Sequence, residues 1–87
     1  LQNFPNPFNP ETTIEYSTNY DGIVTIVIFN TKGELIKKVD HGNRYAGFHN
    51  YKWKGLNSYN ELVPTGVYLY TVESSGNTKS GKMLMIK

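Results

Sequence analysis

The sequence predicts an all-β protein, an Ig-like antiparallel β-sandwich of about seven strands. Tyr, Val, Ile, Thr and Phe recur in short runs that Gly, Asn, Asp and Pro interrupt, and helical periodicity is nearly absent. The turn residues return about every 8–12 positions, a spacing typical of sandwiches. Because the chain has 87 residues, we expect one domain, with an extended N-terminal segment over residues 1–11 and the sandwich over residues 12–87.

The N-terminal segment is predicted to be extended because it is rich in proline. Its motif comprises Pro5, Asn6, Pro7, Phe8, Asn9 and Pro10. Proline fixes φ near −65°, donates no backbone hydrogen bond and biases the residue before it toward extended conformations. The same composition is typical of a linker between domains, and this alternative stays open. Since the chain starts without Met and without a signal-peptide pattern, we interpret it as a piece of a longer protein.

The order of the strands follows from alternating apolar and polar residues between turn signals. This pattern predicts strands at residues 12–17, 23–30, 35–39, 48–54, 67–74 and 78–87. The connections are rich in Gly, Asn, Asp and Ser, and they include a loop over residues 40–47 and a long irregular stretch over residues 55–65. Gly81 lies inside the last strand and predicts a β-bulge there.

The faces of the strands indicate where the core lies. Ile14 and Tyr16 share one face of the first strand. The second strand is apolar on both faces, which predicts a central position in a sheet or a second face covered by a neighbouring domain. Lys37 and Lys38 in the third strand are expected to face solvent or to lie at a sheet edge.

Aromatic residues at alternating positions favour a core over a binding platform. One strand places His49, Tyr51 and Trp53 on one face, and a later strand does the same with Tyr68, Tyr70 and Val72. Such positions usually fill a small all-β core, and Trp53 is the best core anchor. A sugar-stacking face built from these rings is the alternative.

Composition argues against several classes of function. The formal net charge of +2 and the pI near 8.9 are too mild for a phosphate-neutralising stripe, so nucleic acid is not an expected partner. No apolar run approaches the roughly 20 residues of a transmembrane helix. The chain has no Cys, its serines lie in no nucleophile elbow and its carboxylates are dispersed. We therefore expect neither an enzyme nor a cofactor site.

Two weak metal signals have structural alternatives that we favour. His41 and His49 are the only imidazoles, and their spacing fits no metal motif, so we expect a surface His41 and a hydrogen-bonding strand residue at His49. Asn57, Asn60 and Glu61 offer oxygens to Ca²⁺, but one acidic residue is few for a cation that takes six to eight oxygen ligands. We therefore predict a structural loop there and no metal site.

Five short motifs follow one another along the chain. The first is the proline-rich motif, and the second is the strand from Val24 that ends in the turn from Asn30 to Gly33. The remaining motifs are Gly47, His49, Trp53 and Gly55; then Val63, Pro64, Gly66, Val67 and Tyr68; and finally Lys82, Met83, Ile86 and Lys87. In this order they resemble the type A C-terminal sorting domain of the type IX secretion system of Bacteroidetes and related phyla.

This resemblance implies a signal rather than a catalyst. Such a domain is an Ig-like sandwich appended to an N-terminal cargo domain, recognised by the outer-membrane translocon and often removed by a sortase-type peptidase. It implies a protein that passes the periplasm and outer membrane to be secreted or held at the cell surface. The expected recognition residues are Gly66, Val67, Tyr68, Lys82, Met83, Ile86 and Lys87. Alternatively, the lysines only keep an edge strand soluble.

Two other interpretations remain compatible with a sandwich of this kind. One is an accessory Ig-like module that binds a partner or a carbohydrate while packed on a larger secreted enzyme. The other is suggested by a further resemblance, to flagellar hook-capping Ig-like modules. Fold alone does not separate these functions.

Overall fold

Six antiparallel strands form two sheets, which confirms the predicted all-β class. The structure is a computed structural model that describes residues 11–86. The strands are β1 (Thr12–Thr18), β2 (Gly22–Asn30), β3 (Leu35–Arg44), β4 (Gly47–Trp53), β5 (Gly66–Ser74) and β6 (Asn77–Met85). The described part of the chain has one strand fewer than the expected total of about seven, although each of the six strand ranges located in the sequence contains a strand. The stretch between β4 and β5 is irregular, as predicted, apart from the isolated Leu56–Leu62 bridge. The proline-rich motif and Lys87 lie outside the described residues.

The sheets are unequal in size, with β1 and β4 in one and the order β3-β2-β5-β6 in the other. Every neighbouring pair is antiparallel. The second strand is therefore central, as its two apolar faces predicted. Among residues 11–86 no helix is long and apolar enough to cross a membrane.

The core lies between the sheets and is built from the inward face of each strand. Its buried residues are Ile14, Tyr16, Val24, Ile26, Ile28, Trp53, Val63, Tyr68, Val72 and Met85. Trp53 is 1% exposed, its ring meets that of Tyr68 edge-on at 5.2 Å, and its Nε1 donates to the carbonyl of Leu56 at 2.9 Å. Tyr51 and Tyr70 pack against this core. The aromatic residues fill the core, as predicted.

The third strand is longer than predicted because a β-bulge carries it through its glycine. Ile23 pairs with Asn43 and Thr25 with Asp40, so Val24 opposes both His41 and Gly42. Gly42 has φ of 77°, which suits glycine, and the strand continues to Arg44. The loop predicted from residue 40 is therefore wrong at its start, since pattern reading took the glycine and asparagine there as a turn.

The bulge predicted at Gly81 is also wrong. Gly81 pairs regularly with Tyr70 in the continuous β5–β6 ladder. A Cβ at this position would lie 2.6 Å from Cζ of Tyr70, so the glycine leaves room for the aromatic ring on the neighbouring strand.

Candidate functional surface

Six of the seven expected recognition residues lie together at the end of the β5–β6 ladder that is opposite the hairpin turn. Gly66, Val67 and Tyr68 pair with Met85, Leu84 and Met83 respectively, Lys82 pairs with Leu69, and Ile86 follows the strand. Antiparallel pairing thus brings the two C-terminal motif pieces side by side. The seventh residue, Lys87, is outside the described part of the chain.

The members of this group face in two directions. Tyr68 is 5% exposed, and Met83 packs against the core. The Tyr68 hydroxyl donates to the carbonyl of Pro64 at 2.6 Å, which is the arrangement of a tyrosine corner at the start of a strand. Burial raises the pKa of Tyr68, so the hydroxyl stays protonated as a donor. Tyr68 and Met83 therefore pack β5 and β6 against the core, and they expose little surface to a partner.

Val67 is the one member of this group that joins an apolar patch on the outer face of the four-stranded sheet. This patch consists of Phe29, Leu35, Val67, Leu69 and Leu84, which meet through the pairs Phe29–Leu35, Phe29–Leu69 and Val67–Leu84. Leu35 is 57%, Val67 44%, Leu69 39% and Leu84 49% exposed. A contiguous exposed apolar patch is a candidate interaction surface.

Lysines border the apolar patch, and polar residues form a row beyond them on the same face. Lys82 continues the row of Phe29 and Leu69, and Lys38 pairs with Val27 in the next row. One row further along, Glu73 pairs with Thr25 and Thr78. Sequence reasoning missed Leu69 and Leu84, although their alternation with inward Tyr68 and Met83 was a signal that could have found them.

A second group of side chains, two histidines and two tyrosines, connects the two sheets where β3 lies beside β1 and β4. The Tyr16 hydroxyl lies 2.6 Å from Nδ1 of His41, whose ring meets that of Tyr51 edge-on at 5.4 Å. His41 is half-buried and lies in β3, not in the loop predicted there. Its pKa is lowered, first by burial and then by the positive charges of Arg44 and His49. The neutral imidazole is thereby favoured as the partner of the Tyr16 hydroxyl.

His49 makes the hydrogen bond expected of a strand residue. Its Nε2 lies 2.6 Å from the carbonyl of Tyr45, and its ring lies 5.6 Å from that of Tyr16. Burial raises the pKa of Tyr16 and of Tyr51, so both hydroxyls remain protonated near neutrality. The cluster of two histidines and two tyrosines thus links the two sheets through a hydrogen bond and ring contacts.

In the loop that was considered as a calcium site, side-chain oxygens accept hydrogen bonds from within the loop. Asn57 Oδ1 accepts from the backbone N–H groups of Tyr59 and Glu61 at 2.9 and 3.0 Å, and its Nδ2 donates to Glu61 Oε1 at 3.1 Å. Asn30 makes the corresponding three bonds in the β2–β3 loop, where Glu34 takes the place of Glu61. The repeat supports the structural-loop interpretation. Within residues 11–86 no three His, Cys, Asp or Glu side chains converge as metal ligands.

The fold is that of an Ig-like sandwich module, and the outer apolar patch is its candidate contact face. Residues 11–78 match the FlgD Ig-like domain family, and the chain belongs to that family. No curated protein matches the sequence.

Solved structures of FlgD share the fold. The crystal structure of FlgD from P. aeruginosa is 19% identical with a TM-score of 0.73, and the match covers 87% of this chain and 60% of that one. A truncated FlgD from Helicobacter pylori strain 26695 is 23% identical with a TM-score of 0.68, covering 92% of this chain and 63% of that one. This chain therefore spans less than two thirds of either FlgD chain. At such identities the likeness shows the fold alone.

The family match corrects the predicted identity. The chain belongs to the FlgD Ig-like family, so its assignment as a type IX sorting domain is wrong. The predicted translocon and sortase partners and the sorting function are wrong with it. The alternative of an accessory or carbohydrate-binding module on a secreted enzyme is likewise wrong. The C-terminal motif residues do lie side by side in the β5–β6 ladder, but their expected role in translocon recognition no longer has a basis.

Proposed function

We propose that this chain is a non-catalytic assembly module that takes part in flagellar hook assembly as the Ig-like part of a FlgD-type protein. The observation that carries the proposal is the family match over residues 11–78. A hook-assembly role implies a place outside the cytoplasm, so the secreted or cell-surface location expected from the sequence remains part of this proposal.

The outer apolar patch is the proposed contact face. Its leucines and valine are 39–57% exposed, and burying such side chains against a partner stabilises a complex by about 25 cal/mol per Å² of apolar area before the costs of association. Lys38 and Lys82 border the patch. The complementary partner is a protein surface with an apolar centre and carboxylates opposite these two lysines.

A chimera tests the proposal. The Ig-like segment of P. aeruginosa FlgD is replaced by residues 11–86, the chimera is expressed in a strain that lacks FlgD, and hooks are counted by electron microscopy. We expect more hooks than with FlgD from which the segment is deleted. A chimera that is exported and folded, yet gives no more hooks than the deletion, would show the proposal to be wrong.

A charge-matched pair of variants tests the contact face. Leu69→Glu places a carboxylate in the apolar patch, whereas Thr13→Glu places one on the outer face of the two-stranded sheet, opposite Lys52 and away from the patch. We expect the first to reduce the number of hooks to the deletion level and the second to leave it unchanged. Equal effects of the two would exclude the patch as the contact face.

A further inference from the structure

A polar pocket opens at the end of the sandwich where the β1–β2 turn meets the β5–β6 hairpin. It is lined by Ser17, Thr18, Asn19, Tyr20, Val72, Ser74, Ser75, Asn77, Thr78 and Lys79. Its volume is about 240 Å³. Hydroxyl and amide side chains dominate the wall, and its apolar parts are Val72 and the ring of Tyr20.

Two hydroxyls in this wall lack partners. Thr18 Oγ1 and Ser74 Oγ are buried, and neither has a hydrogen-bond partner within residues 11–86. Buried polar atoms are nearly always paired in native proteins, so two unpaired hydroxyls in one pocket require an explanation. Both side chains are only half-buried as residues. Both oxygens are shielded from solvent in this conformation, so a ligand in the pocket reaches either of them only after a change of χ1 rotamer.

Lys79 supplies the positive charge of the pocket. Its Nζ donates to the backbone carbonyl of Ser17 at 2.8 Å and to Ser17 Oγ at 3.3 Å. An ammonium group has three donors, so at least one remains for another acceptor. Neither Asp nor Glu is among the lining residues.

We infer that this pocket binds a small carboxylate. The wall offers the ammonium of Lys79 and the hydroxyls of Thr18 and Ser74 as donors, and a carboxylate is an acceptor with two oxygens. A carboxylate held by Lys79 accepts hydrogen bonds from the two hydroxyls, which pairs both oxygens left without partners. This inference does not depend on the proposed hook role, because the pocket lies at the hairpin end of the molecule and the apolar patch does not contribute to it.

The test is an NMR titration of the ¹⁵N-labelled 87-residue chain with N-acetylglycine, at constant ionic strength set with NaCl. We expect saturating shifts at the amides of Thr18, Ser74 and Lys79, with a dissociation constant on the order of 10 mM. N-acetylglycinamide has the same shape without the charge, and we expect it to bind about tenfold more weakly or not at all. Shifts that do not saturate, or equal binding of the amide, would overturn the inference.

Acetate in a parallel titration separates two sources of the carboxylate. Binding of acetate as tightly as N-acetylglycine assigns the site to a free small acid, whereas binding of N-acetylglycine alone assigns it to the C-terminal end of a peptide. Both results support a carboxylate site. If neither compound binds, there is no such site.

Variants tie the binding to the pocket. Lys79→Gln should weaken N-acetylglycine binding about fivefold or more, whereas Lys52→Gln on the outer face of β4 should leave it unchanged. Thr18→Val and Ser74→Ala should weaken binding without lowering Tm, because they remove hydroxyls that have no partner in the fold. Loss of Tm with unchanged affinity would mean that the hydroxyls serve the fold, and would refute the site.

Discussion

Replacing Gly81 by alanine should destabilise the sandwich, although glycine inside a strand is usually unfavourable. A Cβ at position 81 would lie 2.5 Å from Oη, 2.6 Å from Cζ and 2.9 Å from Cε2 of Tyr70. Such separations are far below van der Waals contact, so the ring must turn off its rotamer or leave the core edge. Gly66 on the neighbouring strand is the matched control, because no heavy atom lies within 4 Å of its Cβ position.

The magnitude follows from two opposing terms. Removing a glycine from a strand interior gains about 0.5–1 kcal/mol, since the unfolded chain loses freedom. Overpacking against the ring costs about 1–3 kcal/mol. Gly81→Ala should therefore lower the free energy of unfolding by roughly 0–2.5 kcal/mol, with about 1 kcal/mol at the middle of that range, whereas Gly66→Ala should raise it by about 0.5–1 kcal/mol. At about 4–8 °C per kcal/mol for a domain of this size, the two variants should differ visibly in Tm.

Urea unfolding of a double-mutant cycle isolates the contact. In Tyr70→Val the three ring atoms near position 81 are absent, and adding Gly81→Ala in that background should be neutral or stabilising. The expected coupling energy is about 1–3 kcal/mol. Two results would contradict this reasoning. One is that Gly81→Ala stabilises the original chain as much as Gly66→Ala does. The other is that Gly81→Ala lowers the free energy of unfolding equally with and without Tyr70, which would mean that the ring does not require a glycine at position 81.

Four further outcomes are expected, each measured by urea unfolding. Ser75→Asn should stabilise by about 0.5–1 kcal/mol, because Ser75 has φ of 51° at the first position of a two-residue hairpin turn that favours Asn-Gly. Gly33→Ala should cost about 1–2 kcal/mol and Gly33→Asn less than half of that, since φ is 83° and nothing lies near the Cβ position. Tyr68→Phe should cost about 1–2 kcal/mol, because it leaves the Pro64 carbonyl without its donor. The lowered pKa of His41 gives stability that is present above its unfolded pKa of about 6.5 and lost as pH falls through the folded pKa, so His41→Gln should flatten the fall in stability on acidification.

Local patterns in the sequence predicted those parts of the fold that depend on neighbouring residues. The period of two placed Tyr51 and Trp53 on the inward face of β4, and turn chemistry located the hairpin that follows Ser74. The central position of β2 followed from its apolar residues on both faces. Each of these depends on a segment of ten residues or fewer, in which the pattern has few competing interpretations.

Features set by distant segments could not be predicted in the same way. A glycine and an asparagine after His41 have the composition of a loop, and only pairing with β2 shows that they form a bulge within a strand. Gly81 likewise has the composition of a bulge until Tyr70 is seen beside it. The polar pocket joins Thr18 to Ser74 across the two sheets. No sequence pattern connects residues 56 positions apart without knowledge of the topology.

The same distinction explains why the motif resemblance misidentified the family. Gly55 has φ of 74° and lies under Met85, whose Sδ would be 3.2 Å from a Cβ there, so the Trp-x-Gly piece meets a backbone requirement beside the core tryptophan. The backbone N–H of Val63 donates to the carbonyl of Gly55 at 2.8 Å, and Tyr68 closes its corner on Pro64. These residues are needed by any sandwich with this pairing. They specify the fold, and a function must be argued from the surfaces that the fold leaves exposed.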